Sequence, residues 1–230
     1  MFDCTKDKYN VYDLVEIVKI LRGQGGCPWD IEQTHKSLRR GMLEEAYEAC
    51  EAIDLENADM LKEELGDVLA QVVFHADIER QAGVFDIDDV ADGICKKFIF
   101  RHPHIFAGEK AETADQVLQN WDKLKQEEKG HKTVYDTMNS VAKSLPALWR
   151  AEKLLHKAKK SGFELCNLDK ICDFLKKEVD KLQKVCNNNC NGQDIGNILL
   201  YIVQLAMISG VDPEVALGQA CDNFVEQFKE

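Results

Sequence analysis

Residues 63–78 read EELGDVLAQVVFHADI, and the choice of fold turns on them. From Val68 to Phe74 the run is apolar almost all round, which marks a buried helix. At 100° per residue, Glu64, Asp67, Gln71 and His75 fall in one narrow stripe of that helix. Carboxylates on a buried helix are costly unless something compensates them. No lysine or arginine stands between Leu65 and Glu79 to do so locally.

Helical patterning continues on both sides. A first helix is predicted over about Val11 to Arg22, with Leu14, Val15, Val18 and Leu21 on its apolar side. The loop GQGGCPWD, Gly23 to Asp30, ends it and is a candidate either to close over a site or to join units. Further helices are predicted over about Lys36 to Leu55, Asp59 to Gln81 and Ala114 to Glu128, and another, with Asp86 as N-cap and Asp88 and Asp89 in its first turn, reaches Phe100. HPHIFAGEKAET reads as a loop, because Pro103 pushes its predecessor out of helix, and Gly130 to Ser140 reads as a linker. No window alternates with the period of a strand, so the expected class is all-α, built as tandem four-helix-type bundle modules.

The second half repeats the first. LGDVLAQVVFHADI (Leu65 to Ile78) aligns with IGNILLYIVQLAMI (Ile195 to Ile208) at an offset of 130 residues. EEAYEACEAI aligns with KEVDKLQKVC when Glu44 is set against Lys177, and ICKKFIFR with ACDNFVEQF when Phe98 is set against Phe224. Three matches in order, with small gaps, make an internal repeat. The expected modules are residues 1–135 and 136–230.

Composition bounds the function. The 230 residues carry 41 acidic and 29 basic side chains, a formal net charge of −12, which argues against a general nucleic-acid binder. No apolar run has the length of a membrane span, and Met1 to Asn10 is too polar for a signal peptide. Nine scattered cysteines, among them Cys50, Cys95 and Cys172 on apolar helical positions, read as reduced thiols of a cytoplasmic protein. Cys186 and Cys190 lie in an Asn-rich loop but lack the spacing and partners of a zinc site.

The chemistry rests on two acidic clusters, Glu44, Glu45 and Glu48 in EEAYE, and Glu64 and Asp67 in EELGD. Residues three or four apart share a helix face. A lone EExxE is ordinarily a solvated face, but here the partner acids lie on an apolar helix. A divalent cation is the simplest compensation, and oxygen-only ligands favour Mg2+ or Mn2+. The repeat serves as an internal control: Glu44 becomes Lys177, Glu48 becomes Lys181, Glu64 becomes Asp194 and Asp67 becomes Asn197, while Glu45 persists as Glu178. Basic residues change in the same direction, Lys97 to Asn223 and Arg101 to Gln227. Lys97 and Arg101 are one helical turn apart, as are Trp121 and Lys125, and such pairs offer phosphate contacts and a stacking plane. Each could equally be a solvated face or a core anchor. His75 shares the acidic stripe, as an outer group of the site or a satisfied core histidine. His102 and His104 flank Pro103 and suit a helix-capping loop.

GGCPWDIEQTH, LEEAYE, KEELGDVLAQVVFHA, RHPHIF and NWDKLKQEEK together resemble the N-terminal module of the MazG family of all-α nucleoside triphosphate pyrophosphohydrolases. SLPALWRAEKLLHKAKKSGFE resembles the opening of the second module in two-module members. The resemblance implies Mg2+-dependent hydrolysis of nucleoside triphosphates to a monophosphate and pyrophosphate, a housecleaning role in the nucleotide pool, and a homodimer. It implies Glu45, Glu48, Glu64 and Asp67 as metal ligands, Glu44 or Glu48 as the group acting on water, and Lys97, Arg101, Trp121 and Lys125 as nucleotide contacts. The second module departs from the pattern, reading KEVDK and DIGN, and is expected to be structural or dimerising. The rival reading is a non-catalytic helical dimer that senses nucleotide or Mg2+.

Overall fold

The structure, a computed structural model, describes residues 2–108, 113, 116–117, 120–121, 124, 133–185 and 191–229. Lys125, Cys186, Cys190 and most of the helix expected over Ala114 to Glu128 lie outside the described residues. Every regular element among the described residues is helical. The chain divides into two compact units, residues 1–124 and 125–230.

In the first unit α1 (Val11–Arg22) opens on a capping box in which Asn10 and Asp13 satisfy each other's backbone N–H groups. The loop after it turns back so tightly that a β-carbon on Gly26 would stand 2.3 Å from the carbonyl oxygen of Leu21. It then enters a short helix α2 (Pro28–Glu32), with proline in the first turn, where its missing N–H is no loss. Next come α3 (His35–Asp54), capped by Thr34 and Ser37, and α4 (Ala58–Ala82), capped by Asn57 and closed by Gly83 in the left-handed region at φ 72°. The short connection between them forces an antiparallel pair, and their contacts run in that register: His35 against His75, Gly41 against Gln71, Glu48 against Glu64. Asp86 caps α5 (Ile87–Arg101), and Pro103–Phe106 forms one further turn, α6, where a loop was expected.

The core of this unit is Val15 and Val18 of α1 on Val73 of α4, flanked by Leu14, Phe74 and Ile87. The apolar run of α4 is less buried than its pattern implies. Val68–Phe74 is not buried all round within one chain: Val73 is, but Val68, Leu69, Ala70, Val72 and Phe74 are half-buried and Leu65 is exposed. Helices α1, α3 and α5 pack on α4, and part of its apolar surface stays open. Helix α5 buries no residue, with Ile94, Phe98, Ile99 and Phe100 all exposed. Cys50 and Cys95 are likewise exposed despite their apolar positions.

The second unit begins with α7 (Val134–Asn139), helical where a linker was expected because Thr133 and Asp136 form a capping box. It continues with α8 (Ala147–Lys160), α9 (Leu168–Val185), α10 (Gly192–Ile208) and α11 (Pro213–Glu226). Helix α10 packs on α8, α9 and α11, with Ile171 and Val203 fully buried. These two residues stand at the repeat positions of Leu38 and Val73, which are also buried, so the repeat holds at the level of packing. No single helix among the described residues is long and apolar enough to cross a membrane.

Candidate active site

The α3–α4 pair positions the acids. On α3, Glu45 and Glu48 are one turn apart; in the antiparallel register they face the start of α4, where Glu64 stands. One carboxylate oxygen from each of Glu45, Glu48 and Glu64 lies within 4.8 Å of the others. Glu45 and Glu64 are half-buried and Glu48 is exposed. Asp67, one turn further along α4, is exposed, yet its charge acts on both Glu45 and Glu64. Glu44 points elsewhere, its carboxylate accepting from Arg40 Nε at 2.6 Å on the solvated side of α3.

Burial, and then the crowding of neighbouring carboxylates, pushes the Glu45 and Glu64 carboxyls above the usual carboxylate range. Among the described residues no lysine or arginine forms an ion pair with Glu45, Glu48, Glu64 or Asp67. Further along the α3–α4 interface, Gln71 Oε1 is buried without a hydrogen-bond partner, pressed against Gly41, where a β-carbon would stand 2.9 Å from Gln71 Nε2. A cation placed among these acids would offset both their desolvation and their mutual repulsion. The donor set, all oxygen and all anionic, fits Mg2+ or Mn2+.

These directions carry a pH dependence. In the metal-free protein a raised carboxyl stabilises the fold below its ordinary pKa, and that contribution is lost as pH rises through the raised value. A bound cation reverses the preference, because it needs the ionised form. The rise in melting temperature on adding Mg2+ is expected to be larger at about pH 8 than at about pH 5. Thermal denaturation at both pH values, with and without Mg2+, checks it.

Among the basic and aromatic candidates, Arg101 and Trp121 come together, with the guanidinium carbon 5.4 Å from the indole centre. His102 meets the same indole edge-on at 4.9 Å, and its Nδ1 lies 2.6 Å from the Phe98 carbonyl oxygen at the end of α5. Lys97 is exposed one turn before Arg101. Lys125 lies outside the described residues.

His75 does not join the acids. Its ring stacks on that of His35 with 2.7 Å between their Nδ1 atoms, and His35 Nε2 lies 2.7 Å from Glu79. Burial and the His35 ring hold His75 below the usual histidine range. This group fastens the start of α3 to α4, about 12 Å along the helix from Asp67. The GGCPWD segment is fixed in the same half of the hairpin. Arg22, with its side chain 4% exposed, bonds Asp77 at 3.1 Å and donates to the carbonyls of Asp30 and Gln33. Asp77 also accepts from Arg80 and from Gln81 Nε2 at 2.7 Å. Sequence reasoning missed this network, although two signals were available. Arg22 ends the stripe Val15, Val18, Arg22, and Asp77 interrupts the apolar side of α4 beside Val73 and Ala76; two opposite charges on buried faces require each other.

Fold and site together define an all-α protein whose helical hairpin carries a carboxylate cluster suited to a divalent cation. The MazG nucleotide pyrophosphohydrolase domain matches residues 33–106, the segment that holds all five acids, Lys97 and Arg101. The chain is 39% identical over 218 residues to the nucleoside triphosphate pyrophosphohydrolase/pyrophosphatase MazG of Thermotoga maritima, covering 95% of this chain and 84% of that protein. It is 37% identical over 223 residues to the nucleoside triphosphate pyrophosphohydrolase of Escherichia coli strain K12, covering 94% and 85%. The protein of the same description from Mycolicibacterium smegmatis is 45% identical over 152 residues, covering 65% of this chain and 46% of that one. The chain belongs to the MazG family of nucleotide pyrophosphohydrolases.

Proposed function

We propose that this protein hydrolyses nucleoside triphosphates to a nucleoside monophosphate and pyrophosphate, using Mg2+ held in the first unit. The observation that carries the reading is the convergence of Glu45, Glu48 and Glu64, without a basic partner among the described residues, in a chain related to proteins of that activity. Glu45, Glu48, Glu64 and Asp67 are the proposed ligands. Bound Mg2+ would supply charge neutralisation and polarisation of phosphoryl oxygens.

The chain's own groups account for the rest. Glu48, the exposed member of the cluster, is free to orient a water and take its proton. Glu44 was the other candidate, but its pairing with Arg40 favours an outer role. Trp121 stacks on the base or sugar, and Lys97, Arg101 and Lys125 meet phosphate oxygens, where they stabilise charge as it develops. The protein is read as a cytoplasmic enzyme of nucleotide housecleaning, with modules at 1–135 and 136–230. A second copy covering the exposed apolar residues of α4 and α5 explains why these helices leave so much apolar surface open in one chain.

The test is product analysis on a panel of NTPs and dNTPs, with and without Mg2+. Monophosphate and pyrophosphate in equal amounts, only with Mg2+, support the proposal. Diphosphate and orthophosphate, or no product from folded metal-loaded protein, refute it and leave nucleotide sensing as the alternative. Trp121→Ala is expected to raise KM about 10-fold, as loss of one stacking contact implies, with a smaller change in kcat; steady-state kinetics separate the two.

A further inference from the structure

The second unit repeats the helix pair of the first with the interior of the pair rewritten. Where Gly41 presses on the amide of Gln71, whose Oε1 has no hydrogen-bond partner, the second unit has Phe174 stacked on Tyr201, ring centroids 3.8 Å apart. A glycine–amide contact has become an aromatic stack. Further along the same pair, the positions of Glu45, Glu48 and Glu64 hold Glu178, Lys181 and Asp194. Glu178 is 6% exposed, and its carboxylate accepts a hydrogen bond from the Lys181 ammonium. Asp194 lies near enough for its charge to act on that ammonium as well. With Lys177 and Asn197 in place of Glu44 and Asp67, the five positions carry two lysines, two acids and one amide, and no net charge.

We propose that Lys181 is a tethered cation: its ammonium, bonded to Glu178, takes the part that a divalent ion takes among Glu45, Glu48 and Glu64. The second unit is thus a cation site filled by the chain itself. The inference rests on the metal reading of the first unit. A buried carboxylate needs a positive partner, and a lysine one turn away supplies it at any ion concentration. The ammonium accepts no ligands, so it cannot hold and acidify a water as a metal ion does. The exchange gives up catalysis in this unit and gains a helix pair whose stability is independent of Mg2+. Glu178 and Asp194 keep two of the three carboxylates, so the ion site is latent, and Lys181→Glu restores the third where the first unit has Glu48.

The experiment uses the full chain with Glu48→Gln and Glu64→Gln, which disable the first cluster, and reads bound Mn2+ by electron paramagnetic resonance alongside thermal denaturation. This parent is expected to bind no Mn2+ tightly. Adding Lys181→Glu is expected to lower the melting temperature in chelator and to gain one bound Mn2+ per chain, which restores it. Adding Lys181→Met instead is expected to lower the melting temperature with no recovery in Mn2+. Adding Glu178→Gln to Lys181→Met removes both charges and is expected to recover most of the loss. A Lys181→Glu chain that gains no Mn2+, or a Lys181→Met chain as stable as its parent, overturns the proposal. Failure of the first-unit reading shows elsewhere, as a wild-type chain that binds no Mn2+.

Discussion

Glu48→Gln is expected to lower Mg2+-dependent pyrophosphate release by about 10²- to 10⁴-fold while leaving the fold intact, the range for losing a positioned acid–base group. Glu48 combines the two roles proposed for the first cluster. It stands within reach of Glu45 and Glu64 as a ligand, and it is the most exposed of the three, where a water can approach. Glutamine keeps the shape and an acceptor oxygen but removes the negative charge and the ability to take a proton. Stability is expected to move the other way. Glu48 is among the charges that raise both Glu45 and Glu64, so its neutralisation relieves repulsion in the metal-free protein. A melting temperature in chelator equal to or above that of wild type, together with loss of turnover, is the expected pair of results. Turnover within a few-fold of wild type would remove Glu48 from the mechanism. Glu44→Gln is the informative contrast: its carboxylate belongs to an exposed pair with Arg40, and a much smaller loss of rate is expected.

Asp77→Ala is expected to cost about 3–5 kcal/mol of stability, because it strands the Arg22 guanidinium in a site with almost no access to water. For a chain of this size that is a fall in melting temperature on the order of 10 °C. The network involved joins the end of α1, the GGCPWD segment and the second half of α4 through the Arg22–Asp77 pair. A neutral pair of similar volume, Arg22→Met with Asp77→Leu, is expected to recover much of the loss, since removing both charges avoids the unpaired one. Denaturant melts of the single and double variants separate the two cases. If Asp77→Ala alone cost under about 1 kcal/mol, the pair would not be a determinant of the fold.

What the residue order reveals and what it hides follow from physical range. The helices were readable because their determinants are local: the stripe Leu14, Val15, Val18, Leu21 and the cap Asp86 act within one or two turns. The repeat was readable because packing periodicity survives substitution, and Leu38 with Ile171 and Val73 with Val203 bear it out in burial. Helix α7 escaped because Gly130 to Ser140 carries too short an apolar pattern, although the Thr133–Asp136 capping box was there to be read. The exposure of α4 and α5 escaped for a different reason. Hydropathy reports which faces avoid water, not which chain covers them. The cluster of Glu45, Glu48 and Glu64 could be anticipated from helical spacing and a short connection, whereas the approach of His35 to His75 and of Arg22 to Asp77 depends on tertiary register.

The most direct measurement is diffraction from crystals soaked in Mn2+ with a non-hydrolysable nucleoside triphosphate, recorded at the manganese absorption edge. The expected result is an anomalous peak bounded by Glu45, Glu48 and Glu64 with Asp67 beside it, in contact with the nucleotide's phosphates, and no peak at Glu178 and Lys181. Nucleotide bound with no ion at the first cluster, or an ion held only elsewhere in the chain, would contradict the metal-centred mechanism.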